Sequence, residues 1–326
     1  MAAAAAVLAA ACNLPFGIGL PSTTQLINGA TDQLAKATSF EIAGSLTSGS
    51  DQVKFDAQFT APSTLHMTRK VNGLDVEVIQ IGGASYYRGK DYVTSVVGTN
   101  AVGQALTKYI GDTRWITSKA ATPIDMSPLT NANQVKANFL STLDMKRSDH
   151  VTVDGVDTAE LSDSGSILNI SESSPYQLIR LRTPAGKTVD GIKDLDIDFS
   201  NYGKAFGTAA PAAVFSLDDA ATWPPYYTVS SISLERCSGD PCTVSVTVAN
   251  QGGTSSGSAP STVTATLTND AGGAVLGTCK APITPDAPHG QSKAVTCTVT
   301  GGAWKTFVQQ GGNFHAAATI DNPAFD

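Results

Sequence analysis

The chain has 326 residues, long enough for two domains and at least one sizeable core. Charged residues are only 15% and the formal net charge is -7, so there is no basic surface on which nucleic-acid binding could rest. Thr, Ser, Gly and Val are abundant and hydrophobic residues make up 41%, a mix that suits a β-rich secreted protein better than a helical enzyme.

The N-terminus runs Val7-Leu8-Ala9-Ala10-Ala11 into Cys12. A short apolar stretch ending in small residues before a cysteine has the form of a lipoprotein signal, with Cys12 as the acylated residue and the membrane as its partner. Ala9 stands where the motif usually has Leu, and no Lys or Arg precedes the run. The stretch is too short to span a bilayer, which takes ~20 apolar residues. Residues 1–21 are thus expected to be a signal remnant and a Gly/Pro-punctuated tether, with the protein on the extracytoplasmic side of the cell envelope.

Residues 22–38 predict a helix capped by Ser22 or Thr23, with Leu26, Ile27, Ala30, Leu34 and Ala37 on one stripe. The period then changes to two: Phe40, Ile42, Gly44 and Leu46, then Val53, Phe55, Ala57 and Phe59, alternate with polar residues. A hairpin turns at Asn72-Gly73, and further strands are centred on Tyr86-Tyr87-Arg88 and Trp115. Val102 to Ile110 reads as a helix stopped by Gly111, and Ser127-Pro128 as the start of another whose stripe is Leu129, Ala132, Val135, Phe139, Leu140 and Leu143. Four more strands lie between residues 148 and 182, and Ile192 to Phe199 forms the last. The expectation for residues 22–206 is α+β: one strongly curved antiparallel sheet, its strand order following chain order, with helices on one face.

Residues 207–224, rich in Ala and Pro, read as a linker. From Tyr226 the chain reads as strand and turn throughout, and about seven short strands over residues 225–326 fit an immunoglobulin-like sandwich. Val246-Thr247-Val248-Ala249-Asn250-Gln251-Gly252 resembles the strand and Asn-x-Gly turn of bacterial adhesion-type sandwich modules. Apart from Cys12, the cysteines are Cys237, Cys242, Cys279 and Cys297, an even set confined to this region. They predict disulfides, favouring Cys237–Cys242 across a short turn and Cys279–Cys297 between strands, with longer staples as the alternatives.

Chemical motifs are sparse. Gly253-Thr254-Ser255-Ser256-Gly257 matches G-x-S-x-G but lacks the strand-to-helix setting of a nucleophile elbow. Asp194, Asp196 and Asp198 open like a calcium loop, yet Phe199 replaces the required glycine, and Leu195 and Ile197 interleave them as on a half-wet strand. Asp154, Asp157, Glu160 and Asp163 read as hairpin solvation. His66, His150, His289 and His315 form no metal-binding or catalytic spacing, and no glycine-rich phosphate loop joins a strand to a helix. The expectation is a non-enzymatic protein without cofactor or metal.

What remains is the apolar face of the first sheet. Phe40 and Ile42, Phe55 and Phe59, Leu65 and Met67, and Val76 and Val78 are its strand residues, with Leu129, Phe139 and Leu140 facing them from a helix. If the sheet curls into a half barrel, these residues line a cavity for an acyl chain. The order of motifs carries a resemblance. An acylatable cysteine and tether precede the Phe40-Glu41-Ile42-Ala43-Gly44 strand, Tyr86-Tyr87-Arg88, Trp115, Ser127-Pro128 with Asn138-Phe139-Leu140, Asp154-Gly155-Val156-Asp157-Thr158, Pro175 to Leu181, and Asp198 to Gly203. Over residues 22–206 this resembles the mycobacterial LppX/LprG-type lipoproteins, whose half-barrel fold is similar to the LolA/LolB carriers. The resemblance implies binding of acylated lipids or glycolipids and their carriage between membranes. The added C-terminal sandwich departs from that pattern. It supports an alternative, a surface interaction or adhesion lipoprotein whose sandwich docks an envelope protein or glycan.

Overall fold

A computed structural model describes residues 19–119, 125–140, 145–189, 191–254 and 259–325. Cys12 with the tether through residue 18, Leu143, and Ser255 to Gly257 lie outside the described residues. The fold is mixed α and β and mostly sheet, with a large curved sheet and two three-stranded antiparallel ones.

In chain order, helix α1 (Thr23–Lys36) leads into β1 (Ser39–Ser48), β2 (Asp51–Thr60), β3 (Thr64–Val71) and β4 (Leu74–Ile81). Strand β5 (Ala84–Arg88), helices α2 (Lys90–Val97) and α3 (Ala101–Ile110), and β6 (Trp115–Thr117) follow. Helices α4 (Ser127–Thr130) and α5 (Ala132–Phe139) precede β7 (Lys146–Val153), β8 (Val156–Ser162), β9 (Ile167–Ser171), β10 (Leu178–Arg182), β11 (Thr188–Val189) and β12 (Ile192–Ser200). The remainder comprises β13 (Val214–Ser216), β14 (Tyr227–Glu235), β15 (Cys242–Asn250), β16 (Thr262–Asn269), β17 (Val275–Pro282), β18 (Ser292–Val299), α6 (Gly302–Gln310) and β19 (Phe314–Asp321). Contacts divide the chain into two compact units, Met1–Gly83 with Pro123–Ala209, and Ala84–Thr122 with Ala210–Asp326.

In the first unit the strands are ordered β4-β3-β2-β1-β12-β10-β9-β8-β7, and β11 pairs with β12. The strand order therefore does not simply follow chain order. Two antiparallel meanders meet where the first strand, β1, pairs with the last long one, β12. Later in the chain α4 and α5 contribute to the cover of its apolar face, and β7 joins at the edge far from β4. The central seam depends on Gly44, whose φ is +153°; a Cβ there would lie 2.1 Å from the Asp196 carbonyl oxygen.

Helix α1 begins with a capping box: Gln25 N–H donates to Ser22 Oγ at 3.2 Å and Ser22 N–H to Gln25 Oε1 at 2.7 Å. Its buried stripe is Leu26, Ala30 and Leu34. The helix expected from Ser127-Pro128 is two helices, and Ser127 is not a cap. Its N–H donates to Asp125 Oδ1 at 2.9 Å, while Asn131 interrupts the run and caps α5 by accepting from Asn133 and Gln134 N–H. Hydrogen bonding from the Ser127 side chain, and then from its N–H, holds the Asp125 carboxyl below the usual carboxylate range.

The second unit carries the larger departures. The stretch expected as a linker contains β13, which pairs in parallel with β6. Its aromatic residues explain the order: Trp223 Nε1 donates to Ser216 O at 2.8 Å, and Phe215 lies 5.4 Å from Tyr109 and 6.1 Å from Trp223 between ring centroids. Phe325 extends the cluster to Tyr109 and Tyr226. These rings tie Ala84–Thr122, expected within the first domain, to the C-terminal half of the chain.

The C-terminal sheets run β14-β15-β18 and β17-β16-β19. Val244, Val246 and Val248 of β15 face Val263, Ala265 and Leu267 of β16 in one core. The region is not all strand and turn, because α6 interrupts it. Gly301 and Gly311 bracket the helix with positive φ, and its Trp304, fully buried, fills the core with Phe307. Disulfides join Cys237 to Cys242 and Cys279 to Cys297, as the spacing predicts, the second linking β17 and β18 of different sheets.

Candidate functional site

The core of the first unit gathers apolar residues from its sheet and its helices. Phe40, Ile42, Phe55, Leu65, Met67, Leu129, Phe139 and Leu140 are all buried in one cluster with Leu26 and Leu34 of α1. The ring of Phe40 sits between those of Phe59, Phe199 and Tyr202 at centroid distances of 5.1, 6.2 and 5.8 Å. Val76 and Val78 are buried in β4. Burial holds the Tyr202 phenol far above its usual range, with its O–H donating to Leu178 O at 2.8 Å.

At one end this core opens. A pocket of about 470 Å³ lies between the C-terminal turn of α1, the β2–β3 turn and the start of α4. Leu34 and Leu65, both buried, form its floor, and its partly covered walls combine Ala37, Phe59, Met126 and Ala132 with the polar Gln80, Ser127 and Thr130. Pro62, Ser63, Asn131 and Asn133 are exposed at its rim. The size falls within the roughly 300–1,000 Å³ of small-molecule sites, and an apolar floor beneath mixed walls and a polar rim suits a ligand with an apolar body and a polar end. Of the residues expected to line a cavity, only Phe59 and Leu65 reach this pocket; the others pack in the core. Sequence reading missed Ala37, Met126 and Ala132 as walls, although it places Ala37 and Ala132 on apolar helix stripes.

A second depression of about 420 Å³, beside the β1–β2 and β3–β4 turns, is lined by Gln52, Lys54, Lys70, Asn72 and Asp194. Its charges make it a poor host for hydrocarbon. Asp196 and Asp198 lie on the solvent side of β12, as their alternation with buried Leu195, Ile197 and Phe199 predicts. Arg180 bridges them, its Nε 2.5 Å from Asp198 Oδ1 and 3.9 Å from Asp196 Oδ1. The Asp198 bond raises the guanidinium's already high pKa.

The histidines are dispersed. His66 Nε2 lies 2.8 Å from Glu77 Oε1, His315 Nδ1 2.6 Å from Asp270 Oδ1, and His289 Nδ1 3.0 Å from Gly252 O. His150 alone joins two carboxylates. It occupies a bulge in β7 with φ +57°, its Nδ1 3.0 Å from Glu172 Oε2 and 3.7 Å from Asp157 Oδ2. The sequence keeps these three residues apart; strand register brings them together. Among the described residues, no helix is long and apolar enough to cross a membrane.

No known protein family matches the chain, and no curated protein does.

Proposed function

We propose that this protein is a cell-envelope lipoprotein, anchored through Cys12, that holds the acyl chain of a lipid or glycolipid in the open pocket of its first unit. On this reading the curved sheet is an LppX/LprG-type half barrel that carries the lipid between membranes. The C-terminal sheets are an immunoglobulin-like module that docks an envelope protein or glycan.

One observation carries the reading: the pocket continues the apolar core outward between Leu34, Leu65, Phe59 and Met126, and its rim is polar. An acyl tail entering there replaces water against apolar walls at about 0.8 kcal/mol per buried methylene. A chain of about ten methylenes thus supplies a gross ~8 kcal/mol, reduced by the cost of immobilising it. The carbonyl or head group stays at the rim near Ser63, Asn131 and Asn133.

Native mass spectrometry of the full chain, purified from a lipid-producing host, tests this. The expected result is a population heavier by one lipid mass that organic extraction removes. Protein of bare polypeptide mass that also takes up no added fatty acid would overturn the proposal.

A further inference from the structure

We infer that His150, Asp157 and Glu172 form a site for one divalent transition-metal ion, best matched by Zn2+. Their candidate ligand atoms, one from each residue, all lie within 4.8 Å of one another. From His150 Nδ1, the distances to Glu172 Oε2 and Asp157 Oδ2 are 3.0 and 3.7 Å. Ligands about 2.0–2.1 Å from a tetrahedral zinc stand roughly 3.3 Å apart, so a small adjustment of side chains brings all three onto one ion.

The set is built by the fold. Glu172 follows β9 and Asp157 lies near the start of β8; they are held together by the Glu172 N–H donating to Asp157 O at 3.1 Å. The register shift between Ser148 and Val151 in β7 places His150 in left-handed backbone conformation, φ +57°, and its ring turns toward both carboxylates. Its own N–H donates to Glu172 Oε1 at 2.7 Å, which orients that carboxylate and leaves Oε2 as the single ligand atom.

Charge favours the same conclusion. The Glu172 side chain is only 8% exposed, and among the described residues neither it nor Asp157 has a Lys or Arg partner. Two carboxylates with a neutral imidazole carry two negative charges, which a dication balances. The donors, one nitrogen and two oxygens, are too few and too mixed for Ca2+ or Mg2+, which take six or more oxygens or keep an octahedral water shell. They match zinc with three protein ligands and one open position. That position faces water, since the His150 and Asp157 side chains are 65% and 64% exposed.

The test is calorimetric titration of Zn2+ into the full chain, free of any affinity tag and stripped with chelator. One equivalent should bind in the wild type. His150→Ala and Asp157→Asn should each weaken that binding by about tenfold or more, while His315→Ala leaves it unchanged. Asp157→Asn keeps the size of an exposed side chain, and an unaltered zinc-free melting temperature verifies its fold. Tetrahedral Co2+ absorption bands in the wild type and not in these two variants give a second readout. Absence of binding in the wild type, or equal binding in all variants, would overturn the site and identify the cluster as an ion pair. Neither outcome bears on the lipid pocket, which uses none of these residues.

Discussion

Phe59 on β2 stands directly opposite Leu65 on β3, and this pair marks where the packed core of the first unit gives way to its open pocket. Leu65 is 4% exposed and belongs to the core, whereas Phe59 is only partly covered and turns its ring against Phe40. The difference has an energetic consequence. Phe40→Ala empties a fully enclosed site among three aromatic rings and should cost about 3–5 kcal/mol of stability. Phe59→Ala opens onto the pocket, where solvent or ligand fills the space, and should cost less. Chemical denaturation of the two variants gives the comparison; a larger loss for Phe59→Ala would mean that the pocket is closed in solution.

The two disulfides should contribute unequally. Cys279 and Cys297 are 18 residues apart and join different sheets, whereas Cys237 and Cys242 are 5 apart. Loop-closure entropy assigns about 3 kcal/mol to the longer bridge and about 2 to the shorter. Paired Cys→Ala variants, unfolded in denaturant under oxidising conditions, should therefore lose more stability for Cys279/Cys297.

Tyr227 should give the second unit a specific alkaline sensitivity. Burial pushes its phenol up from the ordinary value near 10 to about 12. A proton held more tightly in the folded state stabilises it, and the contribution is complete below pH 10 and lost as pH rises toward 12. Its oxygen also accepts from the buried Ala287 N–H at 2.8 Å and lies 3.0 Å from Asp286 Oδ1, to which its O–H donates. Tyr227→Phe should thus cost about 1–3 kcal/mol at neutral pH by orphaning that N–H. The gap between the two proteins should narrow as pH rises from 10 to 12, and thermal melts across that range measure it.

Asn250 holds the turn after β15 with its side chain. Fully buried, its Nδ2 donates to Gly253 O and Ala287 O at 2.8 and 2.7 Å, and its Oδ1 accepts from Gly252 and Tyr226 N–H. Asn250→Ala leaves several buried groups unpaired and should cost more than about 3 kcal/mol. Asn250→Asp keeps the shape but loses both donors and should rescue little. Denaturation midpoints decide it; mild effects of both would show that water replaces the side chain.

These residues also show which parts of the fold were legible in advance. Alternation exposed the strands because half-burial writes itself into every second residue, as Leu195, Ile197 and Phe199 do between aspartates. Ser22 marked the start of α1 through local chemistry, whereas Gln25, its partner in the capping box, went unread. The pairing of β1 with β12 was not legible, since register between distant strands leaves no local trace beyond Gly44. Helix α6 was missed because Trp304 and Phe307, only three apart, make too short a stripe to stand out among strands. Strand β13 was hidden in an Ala/Pro-rich stretch whose order comes from rings elsewhere in the chain. Pattern assigns apolar residues to a face, but packing decides which of them close on one another and which, like Phe59 and Leu65, reach the pocket. His150, Asp157 and Glu172 were invisible for the same reason, being joined only by register.

The most direct test of the lipid reading is photocrosslinking with a fatty acid carrying a diazirine in its tail. Labelling should concentrate on peptides containing Phe59 to Leu65 and Met126 to Ala132, and Ala37→Trp, which fills the pocket wall, should abolish it while leaving the melting temperature nearly unchanged. Labelling confined to other surfaces, or undiminished by Ala37→Trp, would contradict the account.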